Sequence, residues 1–356
     1  MKFNAGKTRN RRTVLYITIA GFLLGLLYPV CAGSMDSPIA LINGVSIGTL
    51  GGFLVALIEI YVVGPRKRNA AFVTTVFLKS VGYLLLFILL ILLLMNFNEA
   101  WYYGLGMYEN FISPRFQTFL YEGDFKVIVL YGLLSVVAII FTREMSRRMG
   151  QGVFLDFLTG KYHFPCEEER IFMFLDQKSS TRLAEEMGSL GYYTFLKEFY
   201  SDVTKCILGA SGEIYRYVGD QVVISWSVKK GLKNANCIRC YFYVRNEIKN
   251  QREKYLTKYS HIPEFRAGIH LGKVIRGEVG DAKSQIVFHG ETLYETALME
   301  KECRNQGFDI LISKPLLELI SLPVIYQSKH IAQVPISNNE KRLSLYTVLE
   351  SHLDPF

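Results

Sequence analysis

Four apolar stretches fill most of the first 142 residues, and they constrain this chain more than anything else in it, because roughly 20 apolar residues in a helix cross about 30 Å of hydrocarbon. Residues 13–31 (TVLYITIAGFLLGLLYPVC) carry no charge, 39–63 carry only Glu59, 70–95 only Lys79, and 127–142 none. Each is read as a membrane-spanning helix, the fourth being the shortest. The first exceeds the apolar core of a secretory leader and lacks an Ala-x-Ala cleavage site, so it reads as a retained span. A mean hydropathy of +0.19 over 356 residues fits a chain that is apolar in one part only.

Charge supports the same division. Lys and Arg outnumber Asp and Glu by 40 to 32, yet the basic residues flank the spans, so membrane lipid is the expected contact and nucleic acid is not. Lys2, Lys7, Arg9, Arg11 and Arg12 precede the first span; Arg66, Lys67 and Arg68 join the second and third; Arg143, Arg147 and Arg148 follow the fourth. Short connections rich in Lys and Arg stay on the cytoplasmic side, which predicts cytoplasmic termini and a multi-pass protein of the inner (cytoplasmic) membrane. The segment 96–126, with Glu99, Glu109, Glu122 and Asp124 against Arg115 and Lys126, is expected as an outer loop whose aromatic residues pack at the interface. Glu59 and Lys79 lie at membrane depth about 8 Å apart along the bundle at 1.5 Å per residue, close enough for a Lys stem to bridge.

Past the fourth span, residues 143–164 read as a helical connector softened at Gly150 and Gly152. From 165 to 356 strands alternate with helices. IFMFLD (171–176) is a buried strand, 179–208 a helix broken near Gly188 and Gly191, and 212–226 a hairpin turning at Gly219-Asp220. About 230–255 is helical, 265–280 is expected as two strands punctuated by glycine, 284–289 as a strand and 290–305 as a helix. The order strand, helix, hairpin, helix, strand is ferredoxin-like. Cys237 and Cys240 form a CxxC with no second pair and no zinc-spaced histidines, and read as one buried helix face.

Asp176 ends the first strand and Asp220 occupies the hairpin turn, two places from which a sheet can bring distant carboxylates to one edge. Hard oxygen pairs that leave room for phosphate oxygens suit Mg²⁺ or Mn²⁺, while helix capping and turn chemistry are the ordinary uses of such residues. Three segments then resemble one family. FLDQKSSTRLAEEMG (174–188) resembles the first metal motif of the class III nucleotidyl cyclases, IYRYVGD (214–220) the second, and FRAGIHLGKVIRGEVG (265–280) their glycine-rich strands. The resemblance covers about residues 165–350. It implies an α+β, ferredoxin-like cyclase domain following an all-α membrane domain. Asp176 and Asp220, with the backbone at Gln177, are implied to hold two Mg²⁺ or Mn²⁺ ions. A nucleoside triphosphate, ATP in the first instance, is then cyclised at a dimer interface with loss of pyrophosphate.

At other positions the chain departs from that family. Tyr294 stands where an Asn orients the ribose, and Leu298 where an Arg contacts the phosphate in the transition state. Arg216 stands where adenylate cyclases carry Lys, and Val287 where an Asp, Thr or Ser reads the base. These departures leave a second expectation: a degenerate domain that binds nucleotide or a partner, or that supplies metal ligands to a heterodimer.

Overall fold

The computed structural model describes residues 5–63, 72–150, 153–336 and 342–351. Lys2, Arg66, Lys67, Arg68, Gly152 and Lys341 lie outside the described residues. The chain divides into a unit of residues 6–148 and a unit of residues 149–356.

The first unit is helical: α1 (Ala5–Cys31), α2 (Pro38–Leu57, continued as a π-helical turn Ile58–Val63), α3 (Phe72–Tyr103), α4 (Met107–Ile112), α5 (Pro114–Tyr121) and α6 (Phe125–Met149). Four stretches, Thr13–Cys31, Pro38–Val62, Val73–Tyr103 and Phe125–Ser146, are long and apolar enough to cross a membrane, which makes the chain a multi-pass membrane protein. The third runs past its expected end at residue 95, so the expected outer loop is the end of α3 followed by two short helices. Its polar residues have partners in the fold: Asn98 donates to Asn43 Oδ1 at 2.9 Å, and Asn110 to Asn96 Oδ1 at 2.9 Å. Helices α1 and α2 touch through glycines; a Cβ on Gly25 would sit 2.1 Å from the Gly44 carbonyl oxygen, the small-residue packing that lets spans approach backbone to backbone.

Glu59 and Lys79 pair at 2.9 Å, as the sequence suggests, within a larger cluster. Lys79 also reaches Glu144 Oε1 at 3.0 Å, Arg143 reaches Glu59 at 3.5 Å, and Tyr83 donates to Glu59 at 2.9 Å. Two acids balance two bases on three helices, so the burial cost of each charge is offset by a neighbour. Arg143 and Glu144, assigned to the connector by sequence, thus belong to the fourth span. The helix ends at Met149, where Gly150 takes φ 107, at the soft point that the sequence places in the connector.

The second unit runs α7 (Val153–Leu158), β1 (Cys166–Gln177), α8 (Ser180–Gly209), β2 (Glu213–Val218), β3 (Gln221–Ser227), α9 (Val228–Leu232), α10 (Asn236–Asn250), α11 (Arg252–Tyr259), β4 (Phe265–Val279), β5 (Gln285–His289), α12 (Glu291–Gln306), β6 (Ile310–Ser313), α13 (Lys314–Leu319), β7 (Tyr326–Pro335) and β8 (Arg342–Glu350). Strand order is β2-β3-β1-β4-β6-β8-β7, with β5 pairing β4; among the described residues only the β4–β6 pair is parallel. The run β1-α8-β2-β3-α10-β4 is the ferredoxin-like core. β1 is buried on both faces, which is why its apolar run is unbroken. Ile171, Met173 and Leu175 pack toward α8 and α10, and Phe172 and Phe174 pack with Val223, Val274 and Phe288 on the other face. Each such side chain contributes about 1.5–3 kcal/mol of burial. Gly188 (φ 70, ψ 158) breaks α8 where the sequence places a break. Cys237 and Cys240 are fully buried on α10, and burial pushes the Cys237 thiol up to about 12.

Residues 265–279 form one strand rather than two. Gly268 and Gly272 serve close approach instead of turning: a Cβ on Gly268 would lie 2.4 Å from the Glu300 nitrogen, and one on Gly272 2.4 Å from Thr292 Oγ1. They seat α12 directly on the sheet. The short α7 docks on the same strand. Arg276, 8% exposed, pairs with Asp156 at 3.1 Å, donates to the Tyr162 hydroxyl at 2.6 Å and stacks 3.8 Å from that ring.

Candidate active site

In the antiparallel β1–β3 ladder Asp176 faces Gln221, which places the preceding residue, Asp220, beside Asp176 at the same end of the sheet. The turn that carries Asp220 is fixed from α8: Gly219 takes φ 60, and Tyr200 donates to its carbonyl at 2.7 Å. A side chain at Gly219 would strain that left-handed backbone. Thr204 and Tyr217 hydroxyls lie 3.4 Å apart, and the Tyr200 and Tyr217 rings 4.6 Å apart, bracing the same hairpin.

Burial, and then the Asp220 charge, raise the Asp176 carboxyl to about 6, with Arg266 on the facing strand pulling it down. Glu300, on α12, is hydrogen-bonded to Asp176 and is raised to about 7, first by burial and then by Asp176. Tyr192 is pushed to about 12 by burial and by Asp220. Acids held together at the expense of their ionised forms are what a bound cation relieves. Among the described residues no three His, Cys, Asp or Glu side chains form a metal-binding group. Asp176 and Asp220 would suit a hard divalent ion, which takes one or two carboxylates and leaves room for phosphate and water. Gln177 sends its buried side chain to the opposite sheet face from Asp176, since successive strand residues alternate.

The remaining candidates fall in two places. Arg216 is exposed on β2, its guanidinium 4.4 Å from the Tyr215 ring and bonded to the Tyr215 hydroxyl at 2.5 Å. The same hydroxyl accepts the Phe288 N–H at 3.0 Å, so positions 216 and 287 are joined through Tyr215 and Phe288. Tyr294 is 56% exposed on α12, and Leu298 follows one turn later on that helix. Sequence reading missed Tyr200, Arg266 and Glu300, and it missed His270, whose Nε2 lies 2.6 Å from Glu295 Oε2 between β4 and α12 with both side chains buried. The signal for Glu300 was an acid two residues after Leu298 on a helix seated by glycines. His270 and Glu295 had none, since they are 25 residues apart on different elements.

No family model matches the chain. Adenylate cyclase 2 of Rhizobium meliloti (strain 1021) is 31% identical over 226 residues, 64% of this chain and 62% of that protein. The adenylate cyclase of Anabaena cylindrica is 22% identical over 183 residues, 49% of this chain and 36% of that protein. The chain therefore spans about three fifths of the first relative's length and about a third of the second's. Among solved structures, a bacterial light-regulated adenylyl cyclase superposes with TM-score 0.53 at 20% identity, covering 63% of this chain and 65% of that one. The chain is thus a homologue of proteins named adenylate cyclase, and its second unit has the class III nucleotidyl cyclase fold.

Proposed function

We propose that the chain is a membrane-anchored class III cyclase that converts a nucleoside triphosphate, ATP in the first instance, to the 3′,5′-cyclic nucleotide and pyrophosphate at the interface of a dimer. The observation that carries this is the placement of Asp176 and Asp220 on adjoining strand ends, with the Asp176 carboxyl raised by burial and then by its neighbour's charge. Asp176, Asp220 and the Gln177 backbone would hold two Mg²⁺ or Mn²⁺ ions. The chemistry such ions would supply there is polarisation of the phosphates and easier ionisation of the 3′ hydroxyl. Tyr200 fixes the turn that presents Asp220, and Arg266 balances part of the negative charge before substrate arrives. The names of the relatives favour ATP, whereas Val287 offers the base no hydrogen bond. The basic flanks of the spans favour a cytoplasmic side for both termini and for the second unit.

Tyr294 and Leu298 favour a dependent role, because Leu298 cannot donate to a phosphate and removing one such donor typically costs about 10²–10³ in rate. Cyclic AMP and cyclic GMP formation by the full-length protein, with ATP or GTP and Mg²⁺ or Mn²⁺, separates the two readings. Product abolished by Asp220→Ala identifies a homodimeric enzyme. No product, with metal-dependent nucleotide binding that Asp220→Ala removes, identifies a half-site awaiting a partner chain.

A further inference from the structure

The helical unit forms a partly open cavity of about 290 Å³ between α1, α2, α3 and α6, just below the range of about 300–1,000 Å³ for ligand sites. Most of its wall is aliphatic or glycine, which suits an apolar body. Polar groups gather toward the end that carries α4 and α5. There Asn98 donates to Asn43 and Ser46, Asn110 to Asn96, and Asn96 to the Met107 carbonyl. Glu99, 7% exposed and on the cavity wall, takes a side-chain hydrogen bond from Asn110, yet its Oε2 has no donor among the described residues. A buried carboxylate oxygen without a donor is costly, and an N–H brought by a ligand would satisfy it.

The charge of the wall selects among ligands. Among the described residues, Glu99 and Asp124 line the cavity and no Lys or Arg does. Arg115 is the basic group nearest Glu99 in electrostatic effect, and its guanidinium is stacked 4.1 Å from the Tyr103 ring. A carboxylate head would therefore meet like charge, and a hydroxyl would add no positive charge to the part that Arg115 supplies. At the other end Tyr83 also lines the cavity and donates to Glu59, whose partner Lys79 bridges to Glu144 on α6. An occupant would thus touch Tyr83, which is bonded to the Glu59 end of the buried ion cluster.

We propose that the membrane unit is a receptor for a small amphiphile with an apolar body and a protonated amine head, seated between the four spans with its head on Glu99. This is independent of the cyclase reading. The test is equilibrium uptake of radiolabelled decylamine by the full chain in phosphatidylcholine nanodiscs, against empty nanodiscs. The expected result is saturable uptake of one molecule per chain, with unlabelled decylamine competing at least about tenfold better than decanol or decanoate. Glu99→Gln is expected to weaken decylamine binding by about tenfold or more and to erase its advantage over decanol. Val136→Phe, which fills the cavity, is expected to abolish saturable uptake. Uptake no greater than by empty nanodiscs would overturn the proposal. So would equal competition by all three heads, the behaviour of a seat for any lipid chain, or a head preference that survives Glu99→Gln. The head comparison uses the unaltered chain and so does not depend on how either variant folds.

Discussion

Asp176 and Glu300 set the acid–base behaviour of the cyclase unit. Their carboxyls are raised from ordinary values of 3.8 and 4.5 to about 6 and about 7, so the folded protein holds protons there that the unfolded chain has released. The stability these groups contribute is complete below about pH 4 and is lost as pH rises through about 6–7. Because both are partly exposed, the loss is on the order of 1 kcal/mol after solvent screening. Unfolding by urea, followed through buried Trp226 in a Trp101→Phe background, should show the midpoint falling from pH 5 to pH 8 without metal. Mn²⁺ should restore it at pH 8 by binding the folded state, and Asp176→Asn should flatten the profile. An unchanged midpoint over that range would separate these carboxyls from one another. A second residue-scale expectation concerns α12. Replacing Tyr294 with Asn and Leu298 with Arg together should raise kcat by about 10² or more if the cyclase reading holds, with the steady-state rate of cyclic nucleotide formation as the readout.

Between elements, glycine does different work in the two units, and this is where sequence reading was least informative. The spans, the strand β1, the Gly219-Asp220 hairpin and the break at Gly188 were legible because apolar period and turn chemistry are local signals. Gly268 and Gly272 were read as punctuation that split β4, because a glycine needed for contact with a distant helix looks in sequence like one needed for a turn. Glu144 was invisible as a partner of Lys79, since 65 residues separate them and the fourth span was ended two residues too early to include it. Asp176 and Asp220 were legible as candidates, whereas Tyr200, which holds the turn, and Glu300, which shares the Asp176 hydrogen bond, depend on packing between elements. The contact between α1 and α2 offers a direct check on glycine as packing. Gly25→Ala puts a methyl 2.1 Å from the Gly44 carbonyl oxygen, whereas Gly82→Ala on α3 meets nothing within 4 Å. The first should destabilise the helical unit by about 1–3 kcal/mol and the second should be neutral or slightly stabilising, as read by loss of helicity on titration with sodium dodecyl sulfate. Equal behaviour of the two variants would mean that the α1–α2 contact does not hold the bundle.

For the molecule as a whole, the distribution of cysteine makes the native chain a probe of its own topology. Cys31 and Cys166 are exposed, while Cys206, Cys237, Cys240 and Cys303 are buried, and burial raises the Cys206 and Cys303 thiols to about 12, which keeps them unreactive as thiolates. Cys31 closes the first span and Cys166 opens β1. If basic flanks set the orientation, these two thiols lie on opposite sides of the membrane, because one span ends outward and the cyclase unit follows the inward end of the fourth. A membrane-impermeant maleimide applied to intact spheroplasts should therefore label one cysteine per chain, and Cys31→Ser should remove that label. Lysis should add a second label that Cys166→Ser removes. Labelling of Cys166 in intact spheroplasts would reverse the orientation, put the carboxylate pair outside the cell's nucleotide pool, and remove the ground for a cyclase acting on cytoplasmic substrate.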